Sequence, residues 1–138
     1  NRAAMSQIES LEALLAPLFP GLMGVKLVEV TNERVVATLL VRPDLCTSGN
    51  TMHGGAFMAF ADTLGGIATY VNLAPNARTT TIESSTKFLR GAAVGSTVSA
   101  ECTAFHKGRT TMVWQTLVKS ADGKLCAVVT QTQLVLPA

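Results

Sequence analysis

The amino-acid sequence predicts an α+β domain in which a curled antiparallel β-sheet wraps around one central buried helix. The stretch from Gly54 to about Tyr70 is apolar on nearly every side, which is typical of a helix inside a domain. Four runs rich in strand-forming residues follow it, at 79–89, 97–107, 110–120 and 124–136. Short breaks separate the later runs, and short connections favour antiparallel pairing.

The residues before the central helix predict one helix and one β-hairpin. Ser6 and Glu9 have the spacing of a capping box, and apolar residues then recur at helical intervals, at Ile8, Leu11, Leu15 and Leu18. A helix from Ser6 to about Leu18 is therefore predicted, ended by the segment 17–21. The runs 24–30 and 34–41 are joined by three turn-forming residues, which indicates a hairpin. Near the other end of the chain, Asp122-Gly123 predicts a type I′ turn.

Composition limits the architecture and the partners. The chain has 138 residues, which suits a single domain over 1–138 with an N-terminal helical segment at 1–21. Charged residues make up 14% and hydrophobic residues 48%, so part of the apolar surplus is expected in a subunit interface. The net charge is +2 without a basic run, which argues against nucleic acid as a partner.

The cysteines and histidines predict neither a disulfide framework nor a metal site. Cys46, Cys102 and Cys126 are odd in number and lack CxxC spacing, so free thiols in a reducing, cytoplasmic compartment are expected. The two histidines, His53 and His106, lack the clustered ligands of a metal centre. No apolar run reaches the roughly 20 residues that a membrane-spanning helix needs, so no membrane is expected as a partner.

One acid and one glycine pair carry the chemical signal. Asp62 stands inside the apolar helix, and a buried acid is costly unless it is hydrogen-bonded or has a function. A structural role, such as pairing with a basic residue, is equally open on helical geometry alone. Upstream, His53-Gly54-Gly55 lies where a loop becomes a helix, and backbone N–H groups at a helix start are ready donors to an oxyanion. The combination favours acyl transfer, in which such a donor stabilises the transition state.

The spacing of these groups requires two chains. Gly55 and Asp62 are seven residues apart, hence about 10 Å along a helix. One substrate carbonyl cannot touch both groups of the same chain. Two antiparallel copies of the helix across a two-fold axis would place Gly55 of one chain opposite Asp62 of the other.

These motifs carry a resemblance to a known family. The sequence resembles the hotdog-fold acyl-CoA thioesterases, in the branch of the phenylacetate-pathway thioesterase and the Arthrobacter-type 4-hydroxybenzoyl-CoA thioesterase. The resemblance runs from about Gly24 to Leu136, and its carriers are Asn50-Thr51-Met52-His53-Gly54-Gly55, Ala61-Asp62, Thr81-Ile82 and the segment 88–92. It implies a curled antiparallel sheet around a central helix, a dimer with a continuous sheet, and dimers that pair into tetramers.

The resemblance also implies roles for individual residues. The Gly55 N–H would polarise the thioester carbonyl, and Asp62 of the partner chain would act as nucleophile or general base. His53 would position the turn and contact the carbonyl region, unless it is a structural loop residue, and Thr81 would help to hold the attacking water. Members of the family often have Asn or Gln where this chain has Thr47, and Asn50 is the candidate that replaces it, at a position where many members have Gly.

Coenzyme A is part of the implied substrate, and no separate cofactor is expected. Its phosphate groups would suit cationic residues at the mouth of the site. The candidates by resemblance are Arg90, Lys107 and Arg109, with Gly108 as the turn that allows close approach. Solvated strand ends are the alternative interpretation of each.

Two other functions compete with thioester hydrolysis on this fold. An acyl-CoA hydratase or dehydratase would pair an acid with a catalytic histidine, whereas His53 belongs to the turn and His106 is remote in sequence. A non-catalytic acyl-CoA-binding module would leave Asp62 without a use.

Overall fold

A computed structural model describes residues 2–138, with side chains described from Gln7 onward. Six strands and three α-helices lie in this part of the chain. In chain order they are α1 (Arg2–Leu15), α2 (Phe19–Met23), β1 (Lys26–Val30), β2 (Arg34–Leu40), α3 (Gly54–Tyr70), β3 (Arg78–Phe88), β4 (Thr97–Lys107), β5 (Thr111–Lys119) and β6 (Leu125–Leu136).

The strands form one antiparallel sheet with the spatial order β1-β2-β4-β5-β6-β3. The helix α3 lies against strands from β2 to β6, so the sheet curls around it. The predicted α+β architecture is therefore confirmed. The chain crosses from α3 to β3 at one edge of the sheet, beside β6, and then returns to the middle through β4. This edge strand matters for the site because it runs beside α3.

The bounds of α3 agree with the prediction, whereas its burial differs. Phe57, Phe60 and Leu64 are at most 2% exposed and pack on the sheet, where Trp114 is fully buried. The opposite face of α3 is open in the single chain, because Gly55, Met58 and Asp62 are exposed. The expectation of a helix buried on every side was thus wrong for the single chain. We call this row, Gly55, Met58 and Asp62, the exposed stripe of α3.

The N-terminal segment has two helices where the sequence predicted one. The helix α1 starts at Arg2, so Ser6 lies within it and is not its N-cap; the Ser6 side chain is outside the described residues. The predicted ending of the helix at 17–21 is replaced by the short helix α2. Pro20 fits there because proline is tolerated in the first turn of a helix. Gly24 then ends α2 in the left-handed conformation, with φ of 89°.

The turn between β5 and β6 also differs from the prediction. A type I′ turn needs positive φ at both central residues. Here Gly123 has a φ of 83°, but Asp122 is not in the left-handed region. The connection instead spans 120–124, with the Gly123 N–H donating to the Ser120 carbonyl at 2.9 Å. The longer loop relieves Asp122 of the strained conformation that a two-residue turn would impose.

The three cysteines are free, as predicted. Burial raises the pKa of the Cys102 thiol to about 11, although the neighbouring Thr116 side chain lowers it in part. Cys102 therefore stays a neutral core thiol, and Cys126 is also buried. Over the described part of the chain, no helix combines the length and the apolar character that crossing a membrane requires.

Candidate active site

Asp62 lies at the surface of α3, where the sheet holds one of its two carboxylate oxygens. The Thr81 hydroxyl on β3 donates to Asp62 Oδ1 at 2.6 Å, and the Gln131 amide on β6 donates to the same oxygen at 3.2 Å. No hydrogen bond from the described residues reaches Asp62 Oδ2. The carboxylate is thus fixed on one side and open on the other, which suits a group that must meet a substrate or a water molecule.

Thr81 reaches Asp62 because β3 is distorted at this point. The register between β3 and β6 shifts between Thr81 and Glu83, with Ile82 as the extra residue of a β-bulge. A bulge bends the strand and re-aims the neighbouring side chains. The Gln133 amide supports the threonine by donating to Thr81 Oγ1 at 2.6 Å, and Thr79 Oγ1 lies 2.9 Å from Gln133 Oε1.

His53 caps the helix that carries Asp62. The backbone of His53 is extended, and its Nδ1 accepts a hydrogen bond from the Gly55 N–H at 2.7 Å. The expected free amide of Gly55 is therefore engaged within its own chain, because the histidine side chain supplies the N-cap. Gly54 faces the ring of Phe88 at the end of β3, and a Cβ on Gly54 would lie 3.2 Å from that ring.

Asn50 shapes the loop and is not seen to touch the carboxylate. It adopts a left-handed conformation with φ of 60°, which asparagine tolerates better than most residues. Its carbonyl accepts a hydrogen bond from the Val94 N–H at 3.0 Å, which ties the loop to the segment before β4.

The two ends of the exposed stripe of α3 open into separate clefts. A cleft of about 380 Å³ beside Gly55 is lined by residues of α2 and of the 42–46 loop, among them Phe19, Arg42 and Cys46. A second cleft of about 450 Å³ beside Asp62 is lined largely by apolar residues, among them Leu11, Leu15, Ile67 and Tyr70. Phe19 and Ala59 belong to both clefts, so the two are neighbours along α3. Sequence reasoning did not anticipate that α1 and α2 wall these clefts.

The predicted cationic residues do not meet in one chain. Arg90 follows β3 at the end of the sheet where Phe88 pairs with Ala127, whereas Lys107, Gly108 and Arg109 lie at the opposite end, where Thr111 pairs with Leu134. Lys107 Nζ is also bound to Glu33 Oε1 at 3.1 Å. Gly108 is required by close packing, because a Cβ there would clash with His106 Nε2. Arg90 and Arg109 are exposed.

A metal centre is not formed by the side chains described. Among them, no group of three or more His, Cys, Asp or Glu residues is placed to hold an ion.

The fold and this site define a class of protein, and the comparison of the sequence with known families agrees with it. The profile of the thioesterase superfamily matches residues 49–127, more than half of the chain. The chain therefore belongs to the thioesterase superfamily and is, as a class, a hydrolase of thioesters. The matched segment contains the helix cap, Asp62 and Thr81.

Individual relatives show how far the similarity extends. The chain is 24% identical over 119 residues to the 1,4-dihydroxy-2-naphthoyl-CoA hydrolase of Escherichia coli, covering 86% of this chain and 87% of that protein. It is 32% identical over 103 residues to a protein of Deinococcus radiodurans, covering 74% of this chain but 64% of that one. The crystal structure of a mutant thioesterase from Pseudomonas aeruginosa superposes with a TM-score of 0.90 at 28% identity, covering 95% of this chain and 94% of that one.

Two residues of the site were missed by sequence reasoning. Gln131 and Gln133 occupy alternate positions of β6 and are each 1% exposed, with their amides directed to Asp62 and Thr81. The signal was present in the sequence, because two glutamines two residues apart lie on one otherwise apolar face of the strand.

Replacing Thr81 by valine tests the hydrogen bond to the carboxylate. Valine keeps the shape but removes the donor to Asp62 Oδ1. A hydrogen bond to a charged group contributes about 1.5–3 kcal/mol, so kcat for thioester hydrolysis is expected to fall about tenfold to a hundredfold. Thr80→Val is the matched control, because Thr80 is exposed on the other face of the same strand. Equal kcat values for the two variants would show that the contact has no catalytic role.

Proposed function

We propose that this protein hydrolyses acyl-CoA thioesters as a homodimer, with each active site combining Asp62 of one subunit and Gly55 of the other. Three observations support the proposal. The family acts on thioesters, the E. coli relative is named for a CoA thioester substrate, and Asp62 presents an open oxygen at an uncovered surface. Pairing of such dimers into a tetramer is part of the proposal.

The position of β3 at the edge of the sheet supports the proposed dimer. This strand lies at the edge of the sheet, where its outer backbone groups can pair with another strand. Near one end, Thr81 contacts Asp62; at the other end, Phe88 packs against Gly54. If two copies of β3 pair antiparallel across a two-fold axis, the Asp62 end of one subunit lies beside the Gly54-Gly55 end of the other. The same pairing covers the exposed stripe of α3.

The reaction follows from these two groups. The thioester carbonyl oxygen takes the place of His53 Nδ1 as the acceptor of the Gly55 N–H, and the positive end of the helix dipole stabilises the developing negative charge. Asp62 acts in one of two ways. As a general base it removes a proton from water while the water oxygen bonds to the carbonyl carbon; the C–S bond then breaks, and the proton passes to the leaving thiolate. As a nucleophile its oxygen bonds to that carbon while the C–S bond breaks and CoA leaves as the thiolate; water then hydrolyses the resulting anhydride, which restores the Asp62 carboxylate, and the released proton passes to the thiolate.

The CoA phosphates are assigned to the exposed cationic residues. Within one chain Arg90 is far from Lys107, Gly108 and Arg109, but antiparallel pairing of β3 brings the Arg90 end of one subunit towards the opposite end of its partner. Arg90 of one subunit and Arg109 of the other are then candidates for the same CoA molecule. Lys107 would have to exchange Glu33 for a phosphate group.

The alternative functions differ in their products. A hydratase or dehydratase would pair the acid with a catalytic histidine, whereas Asp62 accepts its hydrogen bonds from Thr81 and Gln131 in the described chain. A binding module would hold acyl-CoA without releasing a free thiol. Assays of thiol release and of enoyl-CoA hydration on the same acyl-CoA set distinguish the three functions.

The Asp62→Asn variant tests the catalytic acid. Asparagine keeps the size but can neither attack the carbonyl nor accept a proton from water, so kcat for acyl-CoA hydrolysis is expected to fall by about 10²- to 10⁴-fold. Free thiol release gives the rate, and light scattering gives the oligomeric state, which is expected to stay unchanged. Asp122→Asn, in the exposed turn between β5 and β6, is the control. Wild-type turnover by the Asp62→Asn variant would remove Asp62 from its proposed role.

A cysteine at position 85 tests the pairing of β3 with its copy. When Thr81 is opposite Phe88 of the partner, and the bulge counts 82 and 83 as one position, Ser85 lies opposite its own copy. Directly opposed residues have Cβ atoms about 5 Å apart, close enough for a disulfide after a small adjustment. Ser85→Cys in a Cys46→Ser background is expected to form a covalent dimer on oxidation, seen on a non-reducing gel.

Ser99→Cys is the matched control for this experiment. Ser99 is also exposed, but it lies on β4, three strands from the edge and hence about 14 Å from β3. Failure of Ser85→Cys to cross-link in a protein that is dimeric in solution would show that the subunits meet elsewhere.

A further inference from the structure

We infer that Gln131 is a positioning residue that orients the Asp62 carboxylate, and that the chain retains it at a cost to its own stability. The inference rests on the proposed role of Asp62. It concerns a residue on β6 that lies behind the carboxylate, inside the layer between α3 and the sheet.

The surroundings of Gln131 give it one polar partner among the described residues. Its side chain is 1% exposed, and its amide Nε2 donates to Asp62 Oδ1 at 3.2 Å. Its Oε1 is buried and has no hydrogen-bond partner within the described chain. Burying an unpaired carbonyl oxygen destabilises a fold, so an apolar side chain of the same size would suit this position better if stability alone mattered.

Gln133, two residues further along β6, is a buried glutamine whose amide is fully hydrogen-bonded, in contrast to that of Gln131. It is equally buried, but its Nε2 donates to Thr81 Oγ1 and its Oε1 lies 2.9 Å from Thr79 Oγ1. Both ends of that amide are therefore satisfied. The half-satisfied amide of Gln131 is the exception on this face of β6, and its satisfied half is directed to the carboxylate.

The helix makes room for Gln131 at a second cost. Gly65 stands in the interior of α3, where glycine is about 1 kcal/mol less favourable than alanine. A Cβ on Gly65 would clash with Cδ of Gln131, so no other residue fits there without displacing the amide. Two unfavourable choices, a glycine inside a helix and a buried unpaired oxygen, thus occur together beside Asp62.

The hydrogen bond from Gln131 limits how the Asp62 carboxylate can rotate. Thr81 and Gln131 approach Asp62 Oδ1 from two neighbouring strands, which fixes the rotation of the carboxylate as well as its place. Oδ2 then points to the open side, where the proposed substrate binds. Without Gln131 the carboxylate keeps one donor and can rotate about it, so fewer molecules hold Oδ2 in the reactive direction.

The test is Gln131→Met, which keeps the length of the side chain and removes both polar atoms. We expect kcat to fall about tenfold with KM little changed, while Tm stays the same or rises. Thr116→Val is the matched control: Thr116 Oγ1 is likewise buried without a hydrogen-bond partner, but it lies on β5 beside Cys102, and this variant is expected to keep wild-type kcat. A Gln131→Met protein with wild-type kcat, or with a lowered Tm and a parallel loss of active protein, overturns the inference.

A second variant, Gln131→Glu, keeps the shape and makes the donor depend on pH. When protonated, the introduced carboxyl group can donate to Asp62 as the amide does, whereas in its ionised form it repels Asp62. The kcat of Gln131→Glu relative to wild type is therefore expected to fall as pH rises, while that of Gln131→Met stays constant. A kcat ratio of Gln131→Glu to wild type that does not change with pH contradicts the inference. Full activity of the Asp62→Asn variant would contradict the proposed function itself. Loss of activity in Asp62→Asn together with wild-type kcat in Gln131→Met would contradict only the inference about Gln131.

Discussion

The rigidity of α3 is the constraint on which the rest of the site depends. This helix of 17 residues holds the Gly55 amide and the Asp62 carboxylate on one exposed stripe, about 10 Å apart along its axis. A helix cannot bend to bring the two groups to one carbonyl, so in the proposed reaction a single chain supplies two half-sites. The edge strand β3 contacts Asp62 at one end of the stripe and Gly54, next to Gly55, at the other, and it offers unpaired backbone groups beside them. A two-fold axis at this edge would complete both half-sites at once.

The sheet contributes more than a support for the helix. Its inner face is apolar under most of α3, but near Asp62 it carries hydroxyl and amide groups from β3 and β6 that hold one carboxylate oxygen. Such groups lower stability unless each is paired, and Gln131 is not fully paired. Functional sites often retain features that stability alone would remove. In this layer, the apolar side chains stabilise the fold, and the polar groups of β3 and β6 orient Asp62.

Local patterns in the sequence predicted most elements of the fold because each pattern has a local cause. The His53-Gly54-Gly55 turn and the apolar run after it defined α3 from Gly54 to Tyr70, and turn residues separated the strands. The misses depend on distant neighbours. Periodicity could not show that one face of α3 stays open in the single chain, because it reports the apolar character of the helix and not which distant segments pack on it. The contact of Gln131 with Asp62 joins residues 69 positions apart and has no local signal beyond the polar pair on β6. Thr81 was found through resemblance, since the bulge that aims it is not visible in composition or spacing.

The sharing of one active site between two subunits is tested most directly by mixing two inactive variants. Asp62→Asn lacks the carboxylate, and Gly55→Pro lacks the amide N–H, at a position in the first helical turn where proline is tolerated. In a co-expressed mixture, each mixed dimer has one site with both groups intact, so about a quarter of the wild-type activity is expected to return. Activity that stays at the level of the separate variants, although mixed dimers form, would contradict a site built from two chains.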